Sequence, residues 1–97
     1  MGVAFLGIDS GTQSTKALLV GADTGRILSL GRAPHPLIAE TPGQKEQQPQ
    51  WWIDALIQAV KEALDAAPGV EVLGIGVSGQ QHGLVILDEN DAVLRPA

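Results

Sequence analysis

The sequence predicts a mixed α/β domain with the element order β-β-β-α-β, followed by a short hairpin. Two observations carry that reading. Three apolar runs near the N-terminus are separated only by short polar turns, and a single stripe of apolar residues at helical spacing follows them. After that stripe, Pro68-Gly69 introduces one more apolar run.

The first run, Val3 to Ile8, is rich in β-branched and large side chains and ends at Asp9-Ser10-Gly11-Thr12, as a buried strand entering a tight turn does. Ser14 to Val20 gives a second strand. Gly21-Ala22-Asp23-Thr24-Gly25 has the residues of a turn, and Arg26 to Ala33 alternates loosely as a third strand. Strands joined by connections this short pair antiparallel, because a parallel return needs a long crossover. Pro34 to Pro49 changes to Pro, Gly, Gln, Glu and Thr, the composition of a surface loop.

Pro49 suits the first turn of a helix, where its missing N–H costs nothing. Trp52, Leu56, Ala59, Val60, Ala63 and Leu64 then lie on one face of a 3.6-residue period. Val70 to Val77 follows as a buried strand. Reached through a helical crossover, it should lie parallel to a member of the first sheet. Leu84 to Leu87 and Ala92 to Leu94, around a turn at Asp88 to Asp91, read as the closing hairpin. Three antiparallel strands, a helix and a parallel strand is the order that begins a ribonuclease H-like domain, the unit of actin-like ATPases. A generic α+β sandwich would begin the same way.

Composition narrows the function classes. The 97 residues carry a net charge of -5, and the six basic residues are scattered singly, so no nucleic-acid footprint is present. Backbone amides can still hold a phosphate without side-chain charge. Zero cysteines exclude a disulfide scaffold and a thiolate metal site. The N-terminus lacks a basic region before its apolar run, which argues against a signal peptide. No apolar run approaches the ~20 residues of a membrane span. The expectation is a cytoplasmic protein with no nucleic-acid and no membrane partner.

Two stretches carry chemistry. In Gly7-Ile8-Asp9-Ser10-Gly11-Thr12-Gln13-Ser14-Thr15-Lys16, a strand delivers a carboxylate and a Gly-bearing turn rich in hydroxyls follows at once. Gly11 lets the backbone approach a ligand. The turn amides and the hydroxyls of Thr12, Ser14 and Thr15 suit phosphate oxygens, Lys16 can neutralise their charge, and Asp9 can hold Mg²⁺ directly or through water. An ordinary hairpin would use the same turn residues for geometry alone. In the second stretch, Ile75-Gly76-Val77-Ser78-Gly79-Gln80-Gln81-His82-Gly83, a strand ends in a polar turn, a frequent place for ligand contacts. Gly74 to Gly79 also fits G-x-G-x-x-G, but it lies within a strand and opens no helix, which rejects a dinucleotide fingerprint.

The first stretch resembles the phosphate-binding hairpin of the FGGY carbohydrate kinases, Gly-Ile-Asp-x-Gly-Thr followed by small polar residues and a Lys or Arg. The second resembles the turn Gly-Gln-Met-His-Gly of the family's D-xylulose kinases, with Gln81 in place of Met. Glu46-Gln47-Gln48-Pro49-Gln50-Trp51-Trp52 is similar to the family's Glu-Gln-Asp-Pro-x-x-Trp-Trp, with Gln48 replacing Asp and one residue fewer between Pro49 and Trp51. Trp51 and Trp52 read as structural anchors.

The resemblance implies a ribonuclease H-like (actin-like ATPase) domain, of which residues 1–97 would be the N-terminal part, the rest of the enzyme being absent. It implies transfer of the γ-phosphoryl of ATP to the 5-hydroxyl of D-xylulose. Gly11, Thr12, Gln13, Ser14 and Lys16 would hold the nucleotide phosphates. Asp9 would assist catalysis and Mg²⁺, and Gln81 and His82 would contact the small-molecule sugar. The general base and the adenosine pocket would lie outside this chain, so residues 1–97 alone should be inactive. A homodimer of the full-length enzyme is the candidate assembly. Other FGGY kinases, acting on L-ribulose, L-fuculose, gluconate or a polyol, stay open, as does a non-kinase actin-like nucleotide-binding protein.

Overall fold

The computed structural model describes residues 2–42, 46–79, 85–94 and 96–97. Among these described residues, four strands and one helix form in the expected order: β1 (Gly2–Ser10), β2 (Ser14–Gly21), β3 (Ile27–Pro34), α1 (Pro49–Asp65) and β4 (Val70–Ser78). The strands make one sheet in the spatial order β3-β2-β1-β4. β1, β2 and β3 pair antiparallel, and β4 pairs parallel to β1 on its far side. The return through α1 is what makes that last pairing parallel.

Because strand side chains alternate between faces, the register sorts the sheet into two unlike surfaces. Ala4, Leu6 and Ile8 of β1, Ala17 and Leu19 of β2, and Ala33 of β3 are all buried on one side. α1 covers them with Ala55, Ala59 and Ala63, flanked by the partly buried Leu56 and Val60. The helix comes unusually close to β3. A Cβ built on Gly31 would stand 1.9 Å from the carbonyl oxygen of Ala59 and 2.9 Å from the amide nitrogen of Ala63. Ser29 uses the same proximity, donating its hydroxyl to the Ala63 carbonyl at 2.6 Å. Small residues on both partners thus set the interaxial distance, which large side chains would increase.

The ends of α1 follow from local chemistry. Pro49 occupies the first turn, as the sequence indicates. The chain leaves the helix after Asp65, and Gly69 supplies a φ of +81° before β4. At the other turn, Gly25 has a φ of +70°, and its amide bonds the Gly21 carbonyl at 2.9 Å.

Three expectations change. Among the described residues the closing hairpin shows no strand: Leu87 and Val93 form an isolated antiparallel bridge, flanked by backbone bonds from Asp88 to Ala92 and from Leu94 to Ile86. The polar Asp88–Asp91 turn satisfies its own amides through the Asp88 carboxylate, which accepts from Asn90 and Ala92. β4 is not a buried strand, since Ile75 and Val77 are 64% and 70% exposed. α1 lies over β3 and β2, so Val70 and Val72 at the start of this edge strand are partly buried against the core while its second half stays exposed. The helical stripe is also rotated, with Ala55 buried and Leu64 exposed. The close approach at Gly31 centres the contact on alanines rather than on leucines.

Candidate functional site

The turn between β1 and β2 is short and tightly held. Ser10 pairs with Thr15, and the Gly11 amide donates to the Ser14 carbonyl at 2.9 Å. A Cβ at Gly11 would come within 3.4 Å of that carbonyl, so the turn brings the two backbone segments into van der Waals contact there. Thr12 and Gln13 at the tip are exposed, whereas Ser14 and Thr15 are buried. Of the three hydroxyls read from the sequence as phosphate partners, that of Thr15 therefore faces the interior. It meets Nε2 of His35 at 3.2 Å. The Ser14 hydroxyl accepts a hydrogen bond from Nε of Arg32 at 3.3 Å.

The pairing register lines up a polar row across all four strands. Asp9 stands opposite Lys16 on β2 and opposite Ser78 on β4, and Lys16 stands opposite Arg32 on β3. Cross-strand partners share a face, so Arg32, Lys16, Asp9 and Ser78 run side by side on the face away from α1. Two cations thus stand in line on one side of a carboxylate at the mouth of the hairpin, with Ser78 on its other side. The next row holds Leu30, Leu18, Gly7 and Gly76. With no side chain on Gly7 and Gly76, the backbone forms the floor of a depression of about 530 Å³, walled by Leu18 and Leu30 and rimmed by Asp9, Lys16 and Ser78. That volume is in the range of small-molecule sites.

Asp9 is exposed at the end of β1, and no cluster of three or more His, Cys, Asp or Glu forms among the described residues. One accessible carboxylate fits Mg²⁺, which keeps most of its waters and takes further oxygens from a bound phosphate.

Asp9, Gly11, Thr12, Gln13, Ser14 and Lys16 are thus gathered at one end of the sheet. Gln81 and His82 lie outside the described residues, although β4 ends at Ser78, next to Asp9. Sequence reasoning missed Arg32, which the β2–β3 register brings beside Lys16; the turn at Gly21–Gly25 was the signal that could have found it. It also missed His35 and Gln47. His35 is 6% and Gln47 4% exposed, and both contact the Thr12 carbonyl, at 3.1 Å and 2.8 Å. Nothing in the local sequence announces that contact. Trp52 is structural as expected, donating its indole N–H to Oε1 of Gln47 at 2.8 Å.

Residues 4–97 match the FGGY family of carbohydrate kinases, N-terminal domain. A xylulose kinase of Haemophilus influenzae is 48% identical over 99 residues, covering 96% of this chain and 20% of the relative. Among solved structures, a xylulose kinase from Rhodospirillum rubrum superposes with a TM-score of 0.89 at 33% identity, over 96% of this chain and 19% of that one. A gluconate kinase from Lactobacillus acidophilus reaches the same TM-score of 0.89 at 28% identity, over 97% of this chain and 19% of that one. The chain spans about one-fifth of the length of these relatives.

Proposed function

Since the chain belongs to the FGGY family of carbohydrate kinases, at that family's N-terminal domain, we propose that it supplies the phosphate-binding hairpin and part of the sugar site of an ATP-dependent D-xylulose kinase. The observation that carries this reading is the row Arg32, Lys16, Asp9 and Ser78 beside the Thr12–Gln13 tip. Phosphoryl transfer depends on positioning and on charge stabilisation more than on covalent chemistry by the protein. The row provides both. The tip amides and Lys16 hold the β- and γ-phosphates, with Arg32 as a second cation. Asp9 would hold Mg²⁺, directly or through water, and the ion would supply positive charge beside the transferring group.

D-Xylulose is favoured over other sugars by 48% identity to a xylulose kinase and by the His82-Gly83 pair in the sequence. Fold alone does not discriminate, because the gluconate kinase superposes equally well. The product would be D-xylulose 5-phosphate. A base contributed from outside residues 1–97 would accept the hydroxyl proton, so these residues alone would not turn over. A cytoplasmic location and a homodimer of the full-length enzyme complete the proposal.

The test is ADP release by the full-length polypeptide carrying this segment, with Mg-ATP and a panel of ketoses, gluconate and polyols. Stimulation by D-xylulose above the rest supports the reading. Preference for another sugar overturns the substrate and keeps the kinase. ATP binding with no sugar-dependent turnover moves the protein to a non-kinase nucleotide binder.

A further inference from the structure

Behind the hairpin tip, on the α1 side of the sheet, the loop between β3 and α1 folds back on itself through a bridge between Ile38 and Glu46. This brings together two residues that chain order separates. The Gln47 amide is oriented by its partners. Nε2 donates to the carbonyls of Thr12, at 2.8 Å, and Pro36, at 2.9 Å, while Oε1 accepts from Trp52 at 2.8 Å. Both amide hydrogens are engaged, and the reverse orientation would set an oxygen against two carbonyls.

His35 is fixed by the same logic. The Thr12 carbonyl can only accept, so Nδ1, 3.1 Å away, carries the hydrogen. In the neutral ring, Nε2 then accepts from the Thr15 hydroxyl at 3.2 Å. The 3.4 Å separation of Gln47 Nε2 from His35 Nδ1 is that of two donors sharing one carbonyl. The backbone amide of His35 adds a bond to the Gln13 carbonyl at 3.0 Å.

A trans peptide is planar and points its C=O and N–H in opposite directions, and no peptide bond among the described residues is cis. Two buried donors hold the Thr12 carbonyl toward the α1 side. The amide N–H of Gln13, in the same peptide plane, must then face the other side, where Lys16 and Asp9 lie. We propose that His35 and Gln47 are positioning residues that clamp the Thr12–Gln13 peptide and aim the Gln13 amide at a nucleotide phosphate. This rests on the nucleotide-binding reading of the hairpin. Neither residue touches the ligand. Their effect is preorganisation: without them the peptide can rotate and present a carbonyl oxygen to the phosphate instead of an N–H.

The experiment uses the full-length polypeptide and four substitutions. Gln47→Glu keeps the size and the acceptor for Trp52 but replaces two donors with lone pairs. His35→Phe keeps a ring and removes both nitrogens, His35→Asn restores a donor near the Nδ1 position, and Thr15→Val removes only the Nε2 partner. Readouts are KM for Mg-ATP, KM for D-xylulose, kcat, melting temperature and calorimetric Kd for ADP. Gln47→Glu and His35→Phe should each raise the ATP KM and the ADP Kd about tenfold, with the sugar KM within about twofold. His35→Asn should recover most of that loss, and Thr15→Val should cost about threefold. If the folded variants leave the ADP Kd within about twofold, the clamp is wrong. It is equally wrong if both KM values rise together, the melting temperature falls and His35→Asn does no better than His35→Phe. Should the first two fail to fold, Thr15→Val decides on the same ADP readout: a rise of about threefold supports the clamp, and an unchanged Kd overturns it. A wild-type protein that binds ADP but phosphorylates no sugar overturns the kinase reading, while the ADP arm still tests the clamp. One that binds no ADP overturns both.

Discussion

The two faces of the sheet are made by the same four strands and obey different rules. On the α1 face, β1, β2 and β3 contribute Ala4, Leu6, Ile8, Ala17, Leu19 and Ala33, all buried. Volume matters there to within a methyl group, since Gly31 lies against the α1 backbone. On the opposite face, a row of charged and hydroxyl side chains stands beside a floor of glycines, and a Cβ at Gly76 would meet nothing within 4 Å. One face is specified by packing, the other by what it presents. Substitutions on the first should therefore appear in stability, and substitutions on the second in binding and turnover.

The largest effect expected is from Gly31→Val. Its side chain has no room against the carbonyl of Ala59, and overpacking of this severity should cost about 3 kcal/mol or more. Denaturant unfolding of the variant beside wild type measures it, and a loss under about 1 kcal/mol would mean that α1 shifts freely away from β3. Next is Asp9→Asn on the open face. Loss of the carboxylate should lower kcat/KM about 100-fold while the melting temperature stays within a few degrees. A large fall in melting temperature with intact turnover would reverse the roles assigned to the two faces.

Smaller changes sharpen the contrast. Ser29→Ala removes the hydrogen bond to the Ala63 carbonyl beneath α1. It should cost about 1 kcal/mol of stability and leave both KM values unchanged. Gln50→Ala is the control away from both faces, because Gln50 donates to Asp54 one helical turn on at an exposed position, 2.8 Å away. Its cost should be no more than about 0.5 kcal/mol, read from the same unfolding curves.

Legibility in the sequence follows the range of the interactions involved. The hairpin was readable because it is local: Asp9, Gly11, Thr12, Gln13, Ser14 and Lys16 lie within eight consecutive positions, and short turns fix their register. β1 to β4 were placed to within a residue or two for the same reason. The readings that changed depended on distant partners. Burial of β4 depends on where α1 lies across the sheet. The closing hairpin had turn residues but formed an isolated bridge among the described residues.

His35 and Gln47 show that limit most clearly. Each is an unremarkable polar residue in a polar loop, and neither spacing nor propensity marks it as buried. Only the folding of the loop against the hairpin brings two donors to one carbonyl. By itself, then, the sequence determined the order of elements, the β1–β2 turn and the polar side chains gathered on it, because alternation, turn residues and short-range hydrogen bonds are written in neighbouring positions. Tertiary structure alone decided which face α1 covers, that Thr15 turns inward while Lys16 and Arg32 stand together, and what holds the Thr12 peptide. Those outcomes come from contacts between residues far apart in the chain, whose energies no local pattern records.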